Sequence, residues 1–519
     1  MKKPRVNGGS WYRNTVVEYA KHSVKLQNIS SSVFSKVLVI YCGGTIGMLN
    51  DALNGYYPVA GHLQTLLARN DTFNDPNFQE ELGKLSSNDG EYDVRSMCLE
   101  MGPILAMPPS IYGKRIAYQV LEYDPLKDSS NMSMDDWIKL ASDIEVYYHR
   151  YDAFVILHGT DTMAYGASAL SFLLENLGKT VILTGSQIPF SEIRNDAKDN
   201  VLGALTIAGH YVIPEVCLFF GNQLYRGNRA SKVNAVGFDA FDSPNLKPLA
   251  KLGVNIEIEW AEVLRATEIK PFQAHKRMDT DVGCLVIFPG ISASSLRAFL
   301  KAPMRGVILE TFGTGNAPDD RPDIVQAISD AVEAGIIVVN VTQCSKGRVA
   351  NIYATGHTLS SIGVISGSDM TTECALTKLS YLLSFPEYDQ ARIKRLMAES
   401  LRGELSTPIS TTSGSECQTK SWLGSVLRTS ILAATTGHRE AVDNTLRPLL
   451  FHLAAATNDT DGLSDILKSN FYIDVADNHD RTALHVAALH GHLEAVTWLV
   501  THGANVHLRD GHGRTAVSG

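Results

Sequence analysis

The chain has 519 residues, of which 44% are hydrophobic and 19% charged, and this composition excludes a disordered or fibrous protein. Such a length predicts roughly two to four domains of about 100–200 residues each. The formal net charge of −9 argues against nucleic acid as the main partner, because a phosphate-binding face normally shows as a basic excess.

Cysteine usage and the amino-terminal segment indicate a compartment. Seven cysteines are scattered without a C-x-x-C pair, which favours reduced thiols and a cytoplasmic location. Residues 1–35 are polar and basic and contain no apolar stretch typical of a secretory signal. We interpret them as a flexible basic leader, with a weak transit sequence as the alternative. The sequence contains no run of about 18 apolar residues, so it predicts no membrane span.

The stretch 36–242 alternates between strand-like and helical patterns. Short apolar runs bounded by turn residues are typical of buried parallel strands, and helical segments such as Asn195–His210 lie between them. This alternation predicts an α/β domain, with a parallel sheet and helices on both faces. The strand-like runs are KVLVIYC, AFVILH, TVILTG and EVCLFF.

A second, smaller α/β domain is predicted over residues 282–385, after a less regular linker segment at 243–281. Helical patterns at Ser294–Lys301 and Pro322–Ala334 separate its apolar runs. Those runs are CLVIFPG, GVILETFG and IIVVNVTQC.

The carboxyl-terminal part changes character. Residues 386–422 predict a helix and then a linker rich in Ser and Thr. Within 423–519, Thr482 and Thr515 lie 33 residues apart, and T-A-L-H, G-H and G-A-N motifs surround the first of them. This pattern resembles the ankyrin repeat and predicts an all-α, partly degenerate repeat segment. A simple helical hairpin is the alternative.

Two strand-to-loop junctions are polar in a way that packing does not require. Gly43 and Gly44 precede Thr45 after the first strand, and Thr160 and Asp161 follow a later one. In open parallel sheets, ligands bind at the carboxyl ends of the strands, where the next helix offers free N–H groups. The junctions therefore predict a ligand site, although a plain glycine turn or a helix N-cap at Asp161 would also account for each motif.

A hydroxyl at such a turn is a candidate nucleophile once a base accepts its proton. Lys232 lies in a loop after the strand EVCLFF and could reach Thr160 and Asp161 at the same sheet edge. A lysine acts as a base only when its pKa is depressed. A solvated loop charge is the alternative for Lys232.

Five motifs together resemble the cytosolic, type I L-asparaginases, and residues from about Lys36 to Leu383 follow that family's order. They are GGTIGM, GYYPVAGHL, YDPLKDSSNMSMDDW, FVILHGTDTMAYGASALSFLLENLGKTVILTGSQIP and RGNRASK. The resemblance implies two asparaginase-like α/β domains, here followed by ankyrin repeats as in animal proteins described as asparaginases and also as lysophospholipases.

The resemblance also implies residue roles. Thr45 would attack the side-chain amide of L-asparagine to give an acyl-enzyme and ammonia. Thr160, Asp161 and Lys232 would assist proton transfer and activate the water that releases aspartate.

Substrate binding is implied in the same way. Asp128 and Ser129, with Asp161, would hold the α-amino and α-carboxylate groups of the substrate. Backbone N–H groups near Thr160 would stabilise the oxyanion.

Two tyrosines fit the role of partner to the nucleophile. Tyr56 lies in a loop that would close over the site, and Tyr353 could arrive from a neighbouring subunit. A packing role is the alternative for each. Bacterial members that are cooperative have arginine where this chain has Glu310, which makes their allosteric asparagine site doubtful here, although Thr342 and Cys344 are retained.

The leading hypothesis is an L-asparaginase without metal or organic cofactor, acting as a homo-oligomer (dimer or tetramer), with a possible protein partner on the ankyrin repeats. The alternatives are a lysophospholipase, for which no G-x-S-x-G motif is found, and a non-catalytic ankyrin scaffold. A subunit of a tRNA-dependent amidotransferase is disfavoured by the net acidity.

Overall fold

The computed structural model describes residues 34–51, 55–78, 102–112, 114–260, 262–264, 270–350, 354–406, 439–467, 471–477 and 479–517. Nearly all of the predicted leader, most of the Ser/Thr-rich linker and Tyr353 lie outside these residues.

The first fourteen strands belong to the amino-terminal part of the chain. They are β1 (Phe34–Gly43), β2 (Met48–Asp51), β3 (Gly55–Pro58), β4 (Leu105–Ala106), β5 (Arg115–Lys127), β6 (Ala153–Leu157), β7 (Leu174–Glu175), β8 (Thr180–Thr184), β9 (Val216–Phe220), β10 (Gln223–Arg226), β11 (Ser231–Lys232), β12 (Phe241–Asp242), β13 (Ala250–Leu252) and β14 (Ile256–Ile258).

A nine-stranded sheet with the order β14-β13-β10-β9-β8-β6-β1-β5-β4 forms the first unit. Its five central strands, from β9 to β5, run parallel, as the alternating pattern predicts. Strands such as β6 and β8 are buried along their whole length, because helices cover both faces of the sheet. The carboxyl ends of β1, β6 and β8 therefore meet at one edge.

Strand β5 is not among the predicted strands, because polar residues such as Gln119 and Glu122 interrupt its apolar pattern. The structure buries Gln119 by satisfying its amide: the side chain accepts a hydrogen bond from the Tyr151 hydroxyl (2.8 Å) and donates one to the Gly102 carbonyl (3.2 Å).

Helices cover both faces of this sheet and continue through the rest of the chain. They are α1 (His62–Ala68), α2 (Met134–Tyr147), α3 (Met163–Leu173), α4 (Ala197–His210), α5 (Ala293–Phe299), α6 (Pro322–Glu333), α7 (Ala354–Ser361), α8 (Thr372–Leu383), α9 (Gln390–Ala398), α10 (Arg439–Ala456), α11 (Thr460–Leu467), α12 (Ala483–Leu489) and α13 (Leu493–Thr501). No helix among the described residues combines the length and apolarity needed to cross a membrane.

The second unit is a parallel four-stranded sheet of order β16-β17-β18-β19, as predicted. The last five strands are β15 (Gln273–Ala274), β16 (Val282–Val286), β17 (Gly306–Thr311), β18 (Ile337–Thr342) and β19 (Ile365–Ser366). Helix α8 packs between β17 and α3, which is buried except at Tyr165, so one hydrophobic core runs from the large sheet into the small one.

Two segments that the sequence pattern assigns to linkers pack against the body. In the range 243–281, strands β13 and β14 extend the edge of the large sheet. Glu404, in the range 386–422, is fully buried with its carboxylate 2.5 Å from Lys378 Nζ. Short strands and a buried ion pair are hard to predict from composition, because the contacts that stabilise them are made with residues far away in the sequence.

The carboxyl-terminal helices α10–α13 repeat the same local contacts. His452 and His485 each contact, through Nε2, a carbonyl oxygen 29 residues further along the chain, at Arg481 and Arg514 respectively. The segment packs on the body where the Asn505 amide donates to the Gly178 carbonyl at 2.7 Å.

Candidate active site

The turn that carries Thr45 is packed against the turn that carries Thr160. Thr45 opens a 3₁₀ turn, Thr45–Gly47, directly after β1, and Gly44 before it has φ 82° and ψ 175°. A side chain on Gly44 would lie 2.4 Å from the Gly159 Cα, so the two backbones approach as only glycine permits. The residues preceding the two hydroxyls are thus in contact.

Lys232 contacts both predicted partners in the second turn. Its Nζ donates to Thr160 Oγ1 at 2.8 Å and to Asp161 Oδ1 at 2.7 Å. The lysine side chain is 18% exposed and the aspartate side chain 63% exposed. Asp161 therefore presents its carboxylate to solvent, whereas Thr160 is buried and Lys232 is mostly covered.

Contacts of the buried Arg229 and of Ser231 fix the position of the short strand that contains Lys232. Arg229 donates to the Asp369 carboxylate at 2.9 Å, and its Nε donates to the Gly403 carbonyl at 2.8 Å. Ser231, beside Lys232, donates to Glu373 at 3.0 Å, and burial raises the pKa of that carboxyl. These bonds attach the strand that contains Lys232 to the second unit and to the segment after α9.

Asp128 and Ser129 lie next to the Thr160 turn. Ser129 is buried, and its Oγ accepts the Asp161 N–H at 3.2 Å, so one of the amides expected to serve the oxyanion is engaged in this structure. Asp128 caps the 3₁₀ turn Ser129–Asn131, since its Oδ1 accepts the Ser130 N–H at 2.8 Å. The predicted substrate-binding pair is therefore brought to the same edge of the sheet.

The side chain of His158 contacts the backbone of the same turn. It is fully buried, and burial lowers its pKa, so the ring is neutral at physiological pH. Its Nδ1 lies 2.7 Å from the Gly159 carbonyl oxygen, and since a carbonyl only accepts, Nδ1 carries the proton.

The two candidate tyrosines have different outcomes. Tyr56 lies on the β2–β3 hairpin, which follows the Thr45 turn directly, and is 47% exposed. Its hydroxyl donates to Glu192 Oε1 at 3.4 Å. Tyr353 falls outside the described residues, so its role stays a prediction.

One residue at the site is not among the candidates drawn from the sequence. Thr160 Oγ1 donates to Gln187 Oε1 at 3.1 Å, and Gln187 lies just after β8. The rule that selects Thr45 and Thr160, a polar residue after a buried parallel strand, also applies to Gln187.

Comparisons with known protein families cover most of the chain. The model described as "Asparaginase, N-terminal" matches residues 36–264, the "Glutaminase/Asparaginase C-terminal domain" matches 281–397, and "Ankyrin repeats (3 copies)" matches 430–517. An L-asparaginase of Dirofilaria immitis is 40% identical over 476 residues, which cover 91% of this chain and 77% of that protein. The chain belongs to the asparaginase family.

Further relatives of the asparaginase family carry two kinds of name. A 60 kDa lysophospholipase of Mus musculus is 42% identical over 470 residues, or 90% of this chain and 79% of that protein. The crystal structure of L-asparaginase I from Vibrio cholerae is similar with a TM-score of 0.59 and 42% identity, covering 72% of this chain and all of that one. The asparaginase fold, the hydrolase class and the terminal ankyrin repeats predicted from the sequence are thereby confirmed.

Glu310 and the polar residues near it form hydrogen bonds within the chain. Glu310 Oε1 accepts a hydrogen bond from the Thr372 hydroxyl at 3.1 Å. Thr342 donates to the Gly313 carbonyl at 2.5 Å and accepts the Cys344 N–H at 3.0 Å. The hydroxyl and carboxylate groups of this region are thus occupied by contacts within the chain.

Proposed function

We propose that this chain hydrolyses L-asparagine to L-aspartate and ammonia, with Thr45 as the nucleophile. The observation that carries the proposal is the contact of Lys232 Nζ with both Thr160 and Asp161, in a turn packed directly against the Thr45 turn. Two hydroxyls at one sheet edge can serve the two halves of an acyl-transfer reaction.

In the first half, Thr45 Oγ1 attacks the side-chain amide carbon, the C–N bond breaks, and the nitrogen leaves as ammonia with the proton that Thr45 gives up. In the second half, water attacks the resulting ester, its oxygen stays in aspartate, and one of its hydrogens restores the Thr45 hydroxyl. Thr160 assists both proton transfers, because its oxygen can accept a hydrogen bond from the Thr45 hydroxyl or from the water while the Lys232 ammonium group donates to it.

Substrate binding falls to Asp128, Ser129 and Asp161. The exposed Asp161 carboxylate offers an acceptor for the α-ammonium group, and the Ser129 hydroxyl lies beside the Asp161 amide. Free L-asparagine carries both a free α-ammonium and a free α-carboxylate group, which an asparagine residue within a protein lacks, so this arrangement favours the free amino acid over a protein side chain.

Tyr56 is our candidate for the partner of Thr45, since it lies on the hairpin that continues from the nucleophile turn. In the resting arrangement its hydroxyl contacts Glu192, and closure of the hairpin over the substrate would bring it towards Thr45. Tyr353 of a neighbouring subunit is the alternative.

The test is release of ammonia from L-asparagine by the purified chain. We expect T45A and T160A each to lower kcat at least ~10³-fold, and K232M ~10²- to 10⁴-fold, as for loss of a nucleophile or a proton-transfer group. T206A is the matched control, because the Thr206 hydroxyl donates only within α4, to Leu202 O at 2.7 Å.

Activity that survives both threonine substitutions would contradict the proposal. A parallel assay follows fatty acid release from a lysophospholipid. Ester hydrolysis that is lost in T45A while L-asparagine stays untouched would replace the proposed substrate by a lipid.

Setting and assembly extend the proposal. We place the protein in the cytoplasm, supported by five described cysteines that are free thiols. The ankyrin repeats would bind a protein partner.

We propose a homo-oligomer, supported by the exposed apolar side chains of Val286 (47%) and Phe288 (53%) at the edge of the second sheet. Sedimentation of the chain and of V286E/F288E checks the assembly, since a charged edge should dissociate it.

A further inference from the structure

The loop 185–196 between β8 and α4, here called the bridging loop, contacts three parts of the proposed site. Gln187 Oε1 accepts the Thr160 hydroxyl at 3.1 Å. The Phe190 N–H donates to the carbonyl of Ile46, the neighbour of Thr45, at 3.0 Å. Glu192 accepts the Tyr56 hydroxyl at 3.4 Å. The loop therefore connects the second hydroxyl, the nucleophile turn and the hairpin.

Buried polar side chains make this loop rigid. The Asp196 carboxylate accepts the N–H groups of Gln187 (2.9 Å to Oδ2) and Ile188 (3.0 Å) and is 7% exposed. Asn200, also buried, donates to the Gly185 carbonyl at 3.0 Å and to Asp196 at 3.2 Å. Because the segment 185–188 is bound at one end by Asn200 of α4 and at the other by Asp196, the residue before α4, the Gln187 side chain starts from a fixed backbone.

The orientation of the Gln187 amide is also determined by its partners. Its Nε2 donates to the Gly237 carbonyl at 3.2 Å. A carbonyl can only accept, so the amide nitrogen must face Gly237 and the amide oxygen must face Thr160. The oxygen in turn can only accept, and the single proton of the Thr160 hydroxyl must point to Gln187.

This proton assignment leaves Thr160 with one free acceptor site. A hydroxyl has one proton and two lone pairs. The proton goes to Gln187 and one lone pair accepts from Lys232 Nζ at 2.8 Å. One lone pair remains, and it can accept a hydrogen bond from the attacking water or from Thr45.

We infer that Gln187 is a positioning residue that directs the Thr160 hydroxyl proton away from the reacting atoms, so that Thr160 acts on the nucleophile as a hydrogen-bond acceptor. The inference rests on the proposed function. It assigns a role in the reaction to a residue whose own atoms touch neither the nucleophile nor the amide.

The experiment compares Q187L with Q119L. Gln119 is a matched control because it has the same pair of bonds, accepting from a hydroxyl (Tyr151, 2.8 Å) and donating to a carbonyl (Gly102, 3.2 Å), in the middle of β5. We expect Q187L to lower kcat for L-asparagine ~10- to 100-fold with KM changed less than about threefold. Q119L should lower the melting temperature while kcat stays within about twofold of the wild-type value.

The conservative variant Q187E gives a second readout. A protonated carboxyl can accept from Thr160 and donate to Gly237 as the amide does, whereas the carboxylate cannot donate. We expect kcat of Q187E relative to wild type to rise as the pH falls from 8 towards 5, and Q187L to lack this dependence. If Q187L fails to fold, the near-isosteric Q187E decides the question.

The outcomes separate the two proposals. A wild-type chain that releases no ammonia refutes the proposed function, and the role of Gln187 falls with it. An active wild type with Q187L within threefold of its kcat, or with Q187E and Q187L indistinguishable at every pH, refutes the role of Gln187 alone.

Discussion

Substituting alanine at Gly44 should separate the two turns that form the proposed site. The new Cβ would start 2.4 Å from the Gly159 Cα, where ordinary contact begins at 3.4 Å, so the turns must move apart by about 1 Å. Misplacement of reacting groups by that amount lowers rates ~10²-fold. We therefore expect G44A to lower kcat for L-asparagine about 100-fold.

Strain in the backbone is a second effect, and it needs its own control. Gly44 has φ 82°, and a side chain in this region is unfavourable by about 1–3 kcal/mol. Gly290 also has a positive φ, 93°, but a Cβ there would meet no atom within 4 Å. G290A should thus lose a similar free energy of unfolding while its kcat stays unchanged.

The assay is ammonia release as a function of L-asparagine concentration, with urea denaturation of both variants. The reasoning is refuted if G44A keeps kcat within threefold of the wild-type value, or if G290A loses as much activity as G44A. In the first case the close approach of the turns does not matter for the reaction, and in the second the loss reflects general destabilisation.

Two further predictions concern stability. K378M leaves the fully buried Glu404 carboxylate without its cation and should lower the free energy of unfolding by about 3–5 kcal/mol in urea. R321M breaks an exposed ion pair and should change the free energy of unfolding far less, because solvent screens that pair; equal losses would contradict this account. At the contact between the ankyrin segment and the body, burial and then Lys179 lower the pKa of His507, and burial with the same lysine lowers that of His149. The folded state then binds fewer protons than the unfolded one, so their contribution is complete above pH ~6.5 and is lost as the pH falls below it. The melting temperature should drop between pH 7.5 and 5.5, and H507Q should flatten the curve; an unchanged slope in H507Q would contradict the assignment.

The site could be predicted from the sequence to different depths at different residues. Thr45 and Thr160 follow strands whose fully apolar pattern is local and readable, so their place at the carboxyl edge needs only the rule for parallel sheets. Lys232 lies 72 residues beyond Thr160 in the chain. Its place in a loop after a predicted strand made contact with Thr160 feasible, but left a solvated loop charge as the alternative. Gln187 obeys the same rule as Thr160, and was missed because an amide suggests no chemistry until its partners are known.

The fold shows the same division. Parallel strands that are buried on both faces can be predicted, because almost every residue in them is apolar and the sequence shows a continuous apolar run. Strand β5 escapes prediction because the polar Gln119, whose amide is satisfied by Tyr151 and Gly102, interrupts its apolar run. The strands within 243–281 are only two or three residues long, which is too short to give a periodic pattern. The buried pair Lys378–Glu404 looks like two surface charges until the chain closes around it.

The sequence by itself determined the alternation of strands and helices, the repeat of 33 residues and the glycines before Thr45, since each depends on neighbours along the chain. Tertiary structure alone decided the order of the strands, the contact of Gly44 with Gly159 and the direction of the Thr160 proton. Those depend on hydrogen-bond donors and acceptors that are far apart in the chain and have defined directions only when the sheet has assembled.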